Sequence, residues 1–170
     1  VHQGYLERKG VQSERIAMLI LGINTHSKFG NHDSGAALIE DGVILSAINE
    51  ERMTGVKHDS SPPINSVREV FRISGKNPEQ IDAIAIPSRQ AGNDPFMLDN
   101  FTPFSERQEF LERFISLFVD KKPIYFVNHH LAHAAASFYT SGFKDSIVIC
   151  IDGYGDQEST TAWIAKNGSL

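Results

Sequence analysis

The chain has 170 residues, of which 41% are hydrophobic and 22% are charged, proportions ordinary for a soluble globular protein. Its net charge of -5 argues against a surface devoted mainly to nucleic acid. The single cysteine, Cys150, excludes an internal disulfide framework, and no apolar run approaches the ~18 residues of a membrane span. We therefore expect a cytoplasmic protein with no nucleic-acid or membrane partner.

The first part of the chain predicts three strands and a helix. Residues 1–17 are polar, lack the apolar core of a signal peptide and are interpreted as a disordered or tag-like extension. The apolar run 18–24 predicts a buried strand, and two further strand-like runs flank Asp41-Gly42, a dipeptide typical of tight hairpins. Residues 60–75 predict a helix with a serine cap and a glycine just past its end.

The remaining elements alternate between strands and helices. They are a strand over 81–87, a long loop over 88–104, a helix over 105–119, a strand over 123–128, a helix from His129 to Gly142 capped by Asn128, and strands over 146–152 and 160–165. A hairpin-linked set of three strands followed by alternating helices and strands predicts a ribonuclease-H-like α/β layer. Such a layer is one half of an actin-like ATPase or kinase fold: a mixed sheet with an N-terminal three-strand meander and flanking helices.

Three histidines fall within five residues of the segment "VNHHLAHAAAS". His129 and His133 are four residues apart, which places both on one face of a helix, where two imidazoles can share a metal ion. His130 points in another direction and is not expected to reach the same ion. A pair of histidines is an incomplete site, so a third ligand is needed.

Asp152 is a candidate for that third ligand. It follows the apolar strand that comes after the histidine helix, and we expect it at the strand's carboxyl end, where ligands bind in open α/β sheets. Two histidines and one carboxylate form a pattern typical of Fe(II) or a similar divalent ion. Taken alone, such a histidine pair is more often a polar helix surface, and Asp before Gly is usually a turn; their expected placement at one edge of the sheet brings the metal interpretation level with these.

Two other segments carry groups suited to binding small molecules. "NHDSGAAL" places His32 and Asp33 in the loop after the first strand. "NEERMTGVKHD" places Lys57 and His58 in a loop after a strand that we expect to end with Glu50, Glu51 and Arg52; lysine and histidine together can bind phosphate or carboxylate. Spacing alone is also compatible with ordinary polar loops.

Together these motifs resemble the N-terminal region of the NodU/CmcH family of O-carbamoyltransferases. The resemblance rests on "HDSGAALIEDGVILSAINEER", "NHHLAHAAASFYTSGF" and "IVICIDGYGD", and it extends from about Leu19 to Trp163. It implies an actin-like kinase-fold domain related to the tRNA threonylcarbamoyl transferase, followed by a YrdC-like domain. The YrdC-like domain would make carbamoyl-adenylate from carbamoyl phosphate and ATP. The N-terminal domain would pass the carbamoyl group to a hydroxyl of a sugar-containing or antibiotic-type small molecule.

The resemblance also implies roles for particular residues. His129 and His133 match the family's metal-binding histidine pair, and Asp152 matches the first of two aspartate ligands of a divalent metal, typically Fe(II). His32 and Lys57 match residues of the pocket for the acceptor and the carbamoyl group. His32 is then the candidate general base that takes the hydroxyl proton.

On this interpretation, residues 18–170 are the N-terminal part of a longer enzyme. The second half of the fold and the YrdC-like domain would be supplied in cis or in trans. We expect the chain on its own to be inactive as a transferase, and its exposed half-interface to favour aggregation or a homodimer.

Three alternatives stay open at this stage. A tRNA threonylcarbamoyl transferase usually has Glu-Gly between its two histidines, where this chain has "HHLAH". A sugar kinase would need an Asp-Gly-Thr-type loop after the first strand, where this chain has "GINTHSKFG". The third alternative is a non-catalytic remnant or metal-binding half-domain.

Overall fold

The computed structural model describes residues 17–25, 33–87, 112–155 and 158–170. Its main sheet has five strands in the order β3-β2-β1-β4-β5. β1, β2 and β3 form an antiparallel meander, whereas β1 with β4 and β4 with β5 are parallel. The bounds of these strands are Leu19–Asn24 for β1, Gly35–Glu40 for β2, Val43–Asn49 for β3, Ala83–Ile86 for β4 and Ile124–Phe126 for β5.

This topology confirms the predicted ribonuclease-H-like layer, including the N-terminal three-strand meander. The hairpin between β2 and β3 turns at Asp41-Gly42, as predicted. Asp41 has a φ of 48° and Gly42 a φ of 82°, so both lie in the left-handed region that a tight hairpin of this kind requires. The turn fixes the pairing of β2 with β3 and thereby which side chains face the core.

Two helices follow the meander, α1 (Glu51–Thr54) and α2 (Ile64–Ser74). α1 was not predicted: β3 ends at Asn49, and Glu51 begins a short helix instead of ending a strand. α2 was predicted and ends at Gly75, which has a φ of 68°. It packs on β2 and β3 with an apolar stripe because its buried residues recur at helical spacing. The core cluster includes Val67, Val70 and Phe71 from this helix, with Leu19, Leu21, Ile23, Leu38 and Ile84 from the sheet.

The predicted serine cap of α2 is wrong. The helix is preceded by Pro63, and no side-chain cap forms within the local sequence. Instead the carboxylate of Glu50, which is 1% exposed, accepts hydrogen bonds from the backbone N–H groups of Asn65 at 3.2 Å and Ser66 at 2.7 Å. A residue distant in the chain therefore satisfies the orphan donors of the first turn.

The last part of the chain forms one helix and a hairpin. These elements are α3 (His129–Ser141), β6 (Ser146–Gly155) and β7 (Glu158–Ala165). β6 and β7 form a two-stranded antiparallel sheet, and α3 packs against both strands. Cys150 is 8% exposed, in agreement with its predicted place in the core. Isoleucines on the opposite face of this hairpin, such as Ile149, are exposed.

Several predictions fall on residues that the structure does not describe. They are the extension up to residue 16, His32, the loop 88–104 and the first part of the helix predicted over 105–119; residues 112–115 of that helix are helical. In the described ranges, no helix is long and apolar enough to cross a membrane.

Candidate metal centre

The histidine pair lies on the first two turns of α3. Asn128 begins the helix, and its side-chain oxygen accepts a hydrogen bond from the N–H of Leu131 at 2.8 Å. Gly142, with a φ of 78°, follows its last residue. Both histidines are inside the helix, so its periodicity places His129 and His133 one turn apart on one face, with their ring centroids separated by 4.5 Å.

Asp152 lies within β6 and not at its end, so this part of the prediction is wrong. β6 continues to Gly155, but its regular pairing with β7 is interrupted between Ile151 and Gly155. Such an irregularity bends the strand and turns a side chain away from the regular pleat. The Asp152 carboxylate reaches α3 from this irregular stretch. The three side chains therefore meet as predicted, but Asp152 does so from within the strand and not from its end.

The three side chains converge on one point. Their ligand atoms all lie within 4.8 Å of one another. Nε2 of His129 is 2.7 Å from Oδ2 of Asp152 and 2.9 Å from Nε2 of His133, and Nε2 of His133 is 3.6 Å from the same carboxylate oxygen. An imidazole nitrogen carries at most one hydrogen, so His129 cannot donate to both neighbours at once. A cation between the three atoms would interact favourably with all of them.

Hydrogen bonding favours the charged form of the carboxylate. The hydrogen bond with His129 holds the pKa of Asp152 below its usual value; the backbone N–H of Gly153 acts in the same direction, and partial burial opposes both. The carboxylate is therefore a negatively charged ligand at neutral pH. The side chain of His133 is 55% exposed, so this side of the cluster leaves room for further ligands.

The spacing of these atoms fits a transition-metal ion. With ligand bonds of about 2.0–2.2 Å, two ligands that subtend 90–110° lie about 2.8–3.6 Å apart. The separations of 2.9 and 3.6 Å lie within this range, and the 2.7 Å contact between His129 and Asp152 would lengthen only slightly. Two imidazoles and one carboxylate are also the donor types that iron, zinc and similar divalent ions accept.

The third histidine of the motif faces the protein interior. His130 is fully buried, and its Nδ1 lies 2.9 Å from the hydroxyl of Thr161 on β7. Its Nε2 has no hydrogen-bond partner among the residues that the structure describes. Sequence reasoning separated His130 from the metal pair, but it could not assign Thr161 as its partner because the contact spans 31 positions.

A second polar cluster lies next to Lys57 in the sequence. The side chain of Lys57 is exposed, and Lys57 directly precedes His58, whose Nδ1 is 3.0 Å from a carboxylate oxygen of Asp33. A carboxylate oxygen of Glu51 accepts a hydrogen bond from the N–H of His58 at 3.0 Å. Asp33 directly follows His32, so the contact brings together the chain neighbours of the two predicted pocket residues. Sequence reasoning did not predict that Asp33 and Glu51 contact His58, although they lie in the motifs "NHD" and "NEER".

Comparison with known proteins finds a carbamoyltransferase family model and similar proteins from bacteria. The family model described as "Carbamoyltransferase N-terminus" matches residues 19–113 and 91–170. "Nodulation protein NolNO" of Sinorhizobium fredii is 32% identical over 136 residues, which are 74% of this chain and 20% of that protein. "Uncharacterized protein sll1178" of Synechocystis is 29% identical over 175 residues, 89% of this chain and 28% of that protein.

One solved structure illustrates a distant likeness: YeaZ from Pseudomonas aeruginosa has a TM-score of 0.47 and 15% identity, covering 81% of this chain and 55% of that one. The chain spans only 20% to 28% of the two curated relatives above. The family model, by contrast, matches almost the entire described chain. The chain therefore belongs to the NodU/CmcH family of carbamoyltransferases and corresponds to their N-terminal region.

Proposed function

We propose that this chain forms the metal-binding part of an O-carbamoyltransferase that carbamoylates a hydroxyl of a sugar-containing or antibiotic-type small molecule. The observation that carries the proposal is the convergence of His129, His133 and Asp152 within 4.8 Å. This donor set fits a divalent ion, and Fe(II) is the ion we favour because two histidines and a carboxylate with open positions suit it.

In the proposed transfer, the metal stabilises negative charge and His32 accepts a proton. When bound, the metal supplies Lewis-acid stabilisation of negative charge on the carbamoyl donor. The acceptor oxygen forms a bond to the carbamoyl carbon of carbamoyl-adenylate, and the bond from that carbon to the adenylate oxygen breaks. The hydroxyl proton passes to His32, and AMP leaves. Carbamoyl phosphate and ATP are the proposed sources of the adenylate.

Lys57 is the proposed binding group for the donor's negative charge, since an ammonium is a compact cation suited to phosphate. Support for a shared pocket comes from the 3.0 Å contact between Asp33 and His58, the residues that follow His32 and Lys57. We further propose that the chain alone binds metal without completing the transfer, because the relatives it matches are several times longer.

Metal titration tests the site directly. The chain is titrated with Co(II) or, without oxygen, with Fe(II), and the affinity is compared for Asp152→Asn and His133→Ala. Loss of a ligand should weaken binding by more than the roughly 10–100-fold typical of a supporting residue. Asp120→Asn, an exposed carboxylate elsewhere, is the matched control and should bind as the unmodified chain does. Absence of binding, or unchanged affinity in Asp152→Asn, would contradict the proposed site.

The proposed role of His32 as the base is tested in a longer protein that contains this chain. His32→Ala should reduce turnover in a carbamoyl-transfer assay with carbamoyl phosphate, ATP and a hydroxyl acceptor, while leaving metal affinity intact. Undiminished turnover would remove His32 from this role.

A further inference from the structure

The residues on either side of His129 both bind to β7. Nδ2 of Asn128 donates to a carboxylate oxygen of Glu158 at 2.8 Å, while its side-chain oxygen caps α3. His130 contacts the hydroxyl of Thr161 at 2.9 Å. His129 is therefore flanked by two side chains that attach the first turn of α3 to the hairpin that carries Asp152.

His130 makes the more deeply buried of these attachments. Its ring is fully buried, and its backbone carbonyl lies 3.6 Å from the Sγ of Cys150. Cys150 on β6 is paired directly with Thr161 on β7. Both contacts of His130 therefore reach one cross-strand pair, which lies two residues before Asp152 on β6.

The Thr161 hydroxyl takes part in two hydrogen bonds. Nε1–H of Trp163 donates to its oxygen at 3.0 Å. Because a hydroxyl has two acceptor lone pairs and one hydrogen, Thr161 can also pair with Nδ1 of His130, as donor or as acceptor according to the tautomer of the ring. Nε2 of the same ring is buried without a hydrogen-bond partner in the described part of the chain, which is unfavourable for a polar atom. An apolar ring at this position would avoid that cost. The advantage of a histidine here is therefore its hydrogen bond through Nδ1.

We propose that His130, through its hydrogen bond with Thr161, is a positioning residue for the metal centre; this rests on the proposed function of that site. His129 and His133 belong to α3, and Asp152 belongs to β6, so their meeting depends on how the helix lies on the hairpin. A small rotation or shift of the helix would separate the 2.7 Å contact between His129 and Asp152. Residues behind metal ligands commonly set ligand orientation in this way.

The test is a set of nearly isosteric variants of the whole chain. Thr161→Val removes the hydroxyl with little change in shape, and Thr161→Ser retains it. Thr160→Val is the matched control, because Thr160 is exposed on the neighbouring position of the same strand. Co(II) affinity is measured for each. Thr161→Val should bind about 10–100-fold more weakly, and the other two should match the unmodified chain.

A second readout does not require metal. With ¹⁵N-labelled histidine, the ring N–H of His129 that bonds Asp152 should be detected by NMR as a slowly exchanging proton. We expect it to be lost in Thr161→Val and kept in Thr161→Ser and Thr160→Val. If the unmodified chain binds no Co(II), the proposed metal site fails, but the ring proton still decides whether His130 positions the cluster.

Two outcomes overturn the inference. One is a folded Thr161→Val, judged by far-ultraviolet circular dichroism, that retains the ring proton and the Co(II) affinity of the unmodified chain. If Thr161→Val does not fold, His130→Phe fills the same space without the hydrogen bond and should lose the ring proton. Retention of that proton in His130→Phe is the other overturning outcome.

Discussion

The hydrogen bonds of Glu50 to the first turn of α2 predict a large loss of stability when Glu50 is replaced. Its carboxylate accepts hydrogen bonds from two backbone N–H groups and from the Ser66 hydroxyl, the last at 2.7 Å. Ser66 is fully buried, and the Glu50 side chain is 1% exposed. Glu50→Ala would remove the acceptor and leave these donors without a partner inside the protein.

The expected cost follows from those contacts. Each buried donor left unsatisfied costs about 1–3 kcal/mol, and loss of a negative charge at a helix N-terminus adds about 0.3–1 kcal/mol. The carboxylate is itself costly to bury, which offsets part of its contribution in the unmodified protein. We therefore expect Glu50→Ala to lower the free energy of unfolding by about 3–5 kcal/mol, a large share of typical domain stability. Glu50→Gln, which keeps one oxygen but presents its NH₂ group to a donor, should cost about 2–3 kcal/mol.

Urea denaturation followed by circular dichroism measures both values. Glu79→Ala, whose side chain is exposed, is the control and should change stability by less than about 0.5 kcal/mol. A cost below about 1 kcal/mol for Glu50→Ala would refute the assignment of Glu50 as the cap of α2.

Two further predictions concern the same region. Gly35→Ala should lower the free energy of unfolding by about 1–3 kcal/mol, because a Cβ there would lie 2.8 Å from the carbonyl oxygen of Ile48 on β3. Gly22→Ala is the control: its Cβ would have only ordinary contacts, so it should be nearly neutral in the same urea assay. Equal effects of the two substitutions would contradict this reasoning. Hydrogen bonds from Ser61 and then Thr54 lower the pKa of Asp59 from its ordinary 3.8, so its contribution to stability is present above about pH 4 and is lost as the pH falls through the lower, folded-state pKa. Asp59→Asn should show a weaker loss of stability as the pH falls below about 4, and identical pH profiles would disprove this contribution.

Local patterns predicted most of the elements because the relevant forces act over a few residues. The Asp41-Gly42 turn lies where its backbone preference requires, and Asn128 and Gly142 bound α3 as capping chemistry predicts. The pairing of His129 with His133 follows directly from helical periodicity. These features need no information about distant parts of the chain.

The failures arose where distant residues act on one another. α2 was assigned a local serine cap, but Glu50 satisfies its first turn from outside the helix. Asp152 was placed at a strand end, whereas it lies within β6 where the pairing with β7 is irregular. A pattern of residue types does not show which donor a distant carboxylate will meet, or where a strand will shift its register.

The amino-acid sequence by itself determined the family, the order of most elements along the chain and the three side chains of the candidate metal centre. Only the tertiary structure decided that these side chains meet within 4.8 Å, and that His130 joins α3 to Thr161 behind them. The physical reason is that helix periodicity places two imidazoles on one face without specifying what that face will contact. The packing of α3 on the β6–β7 hairpin makes that choice, through buried hydrogen bonds between residues far apart in the chain.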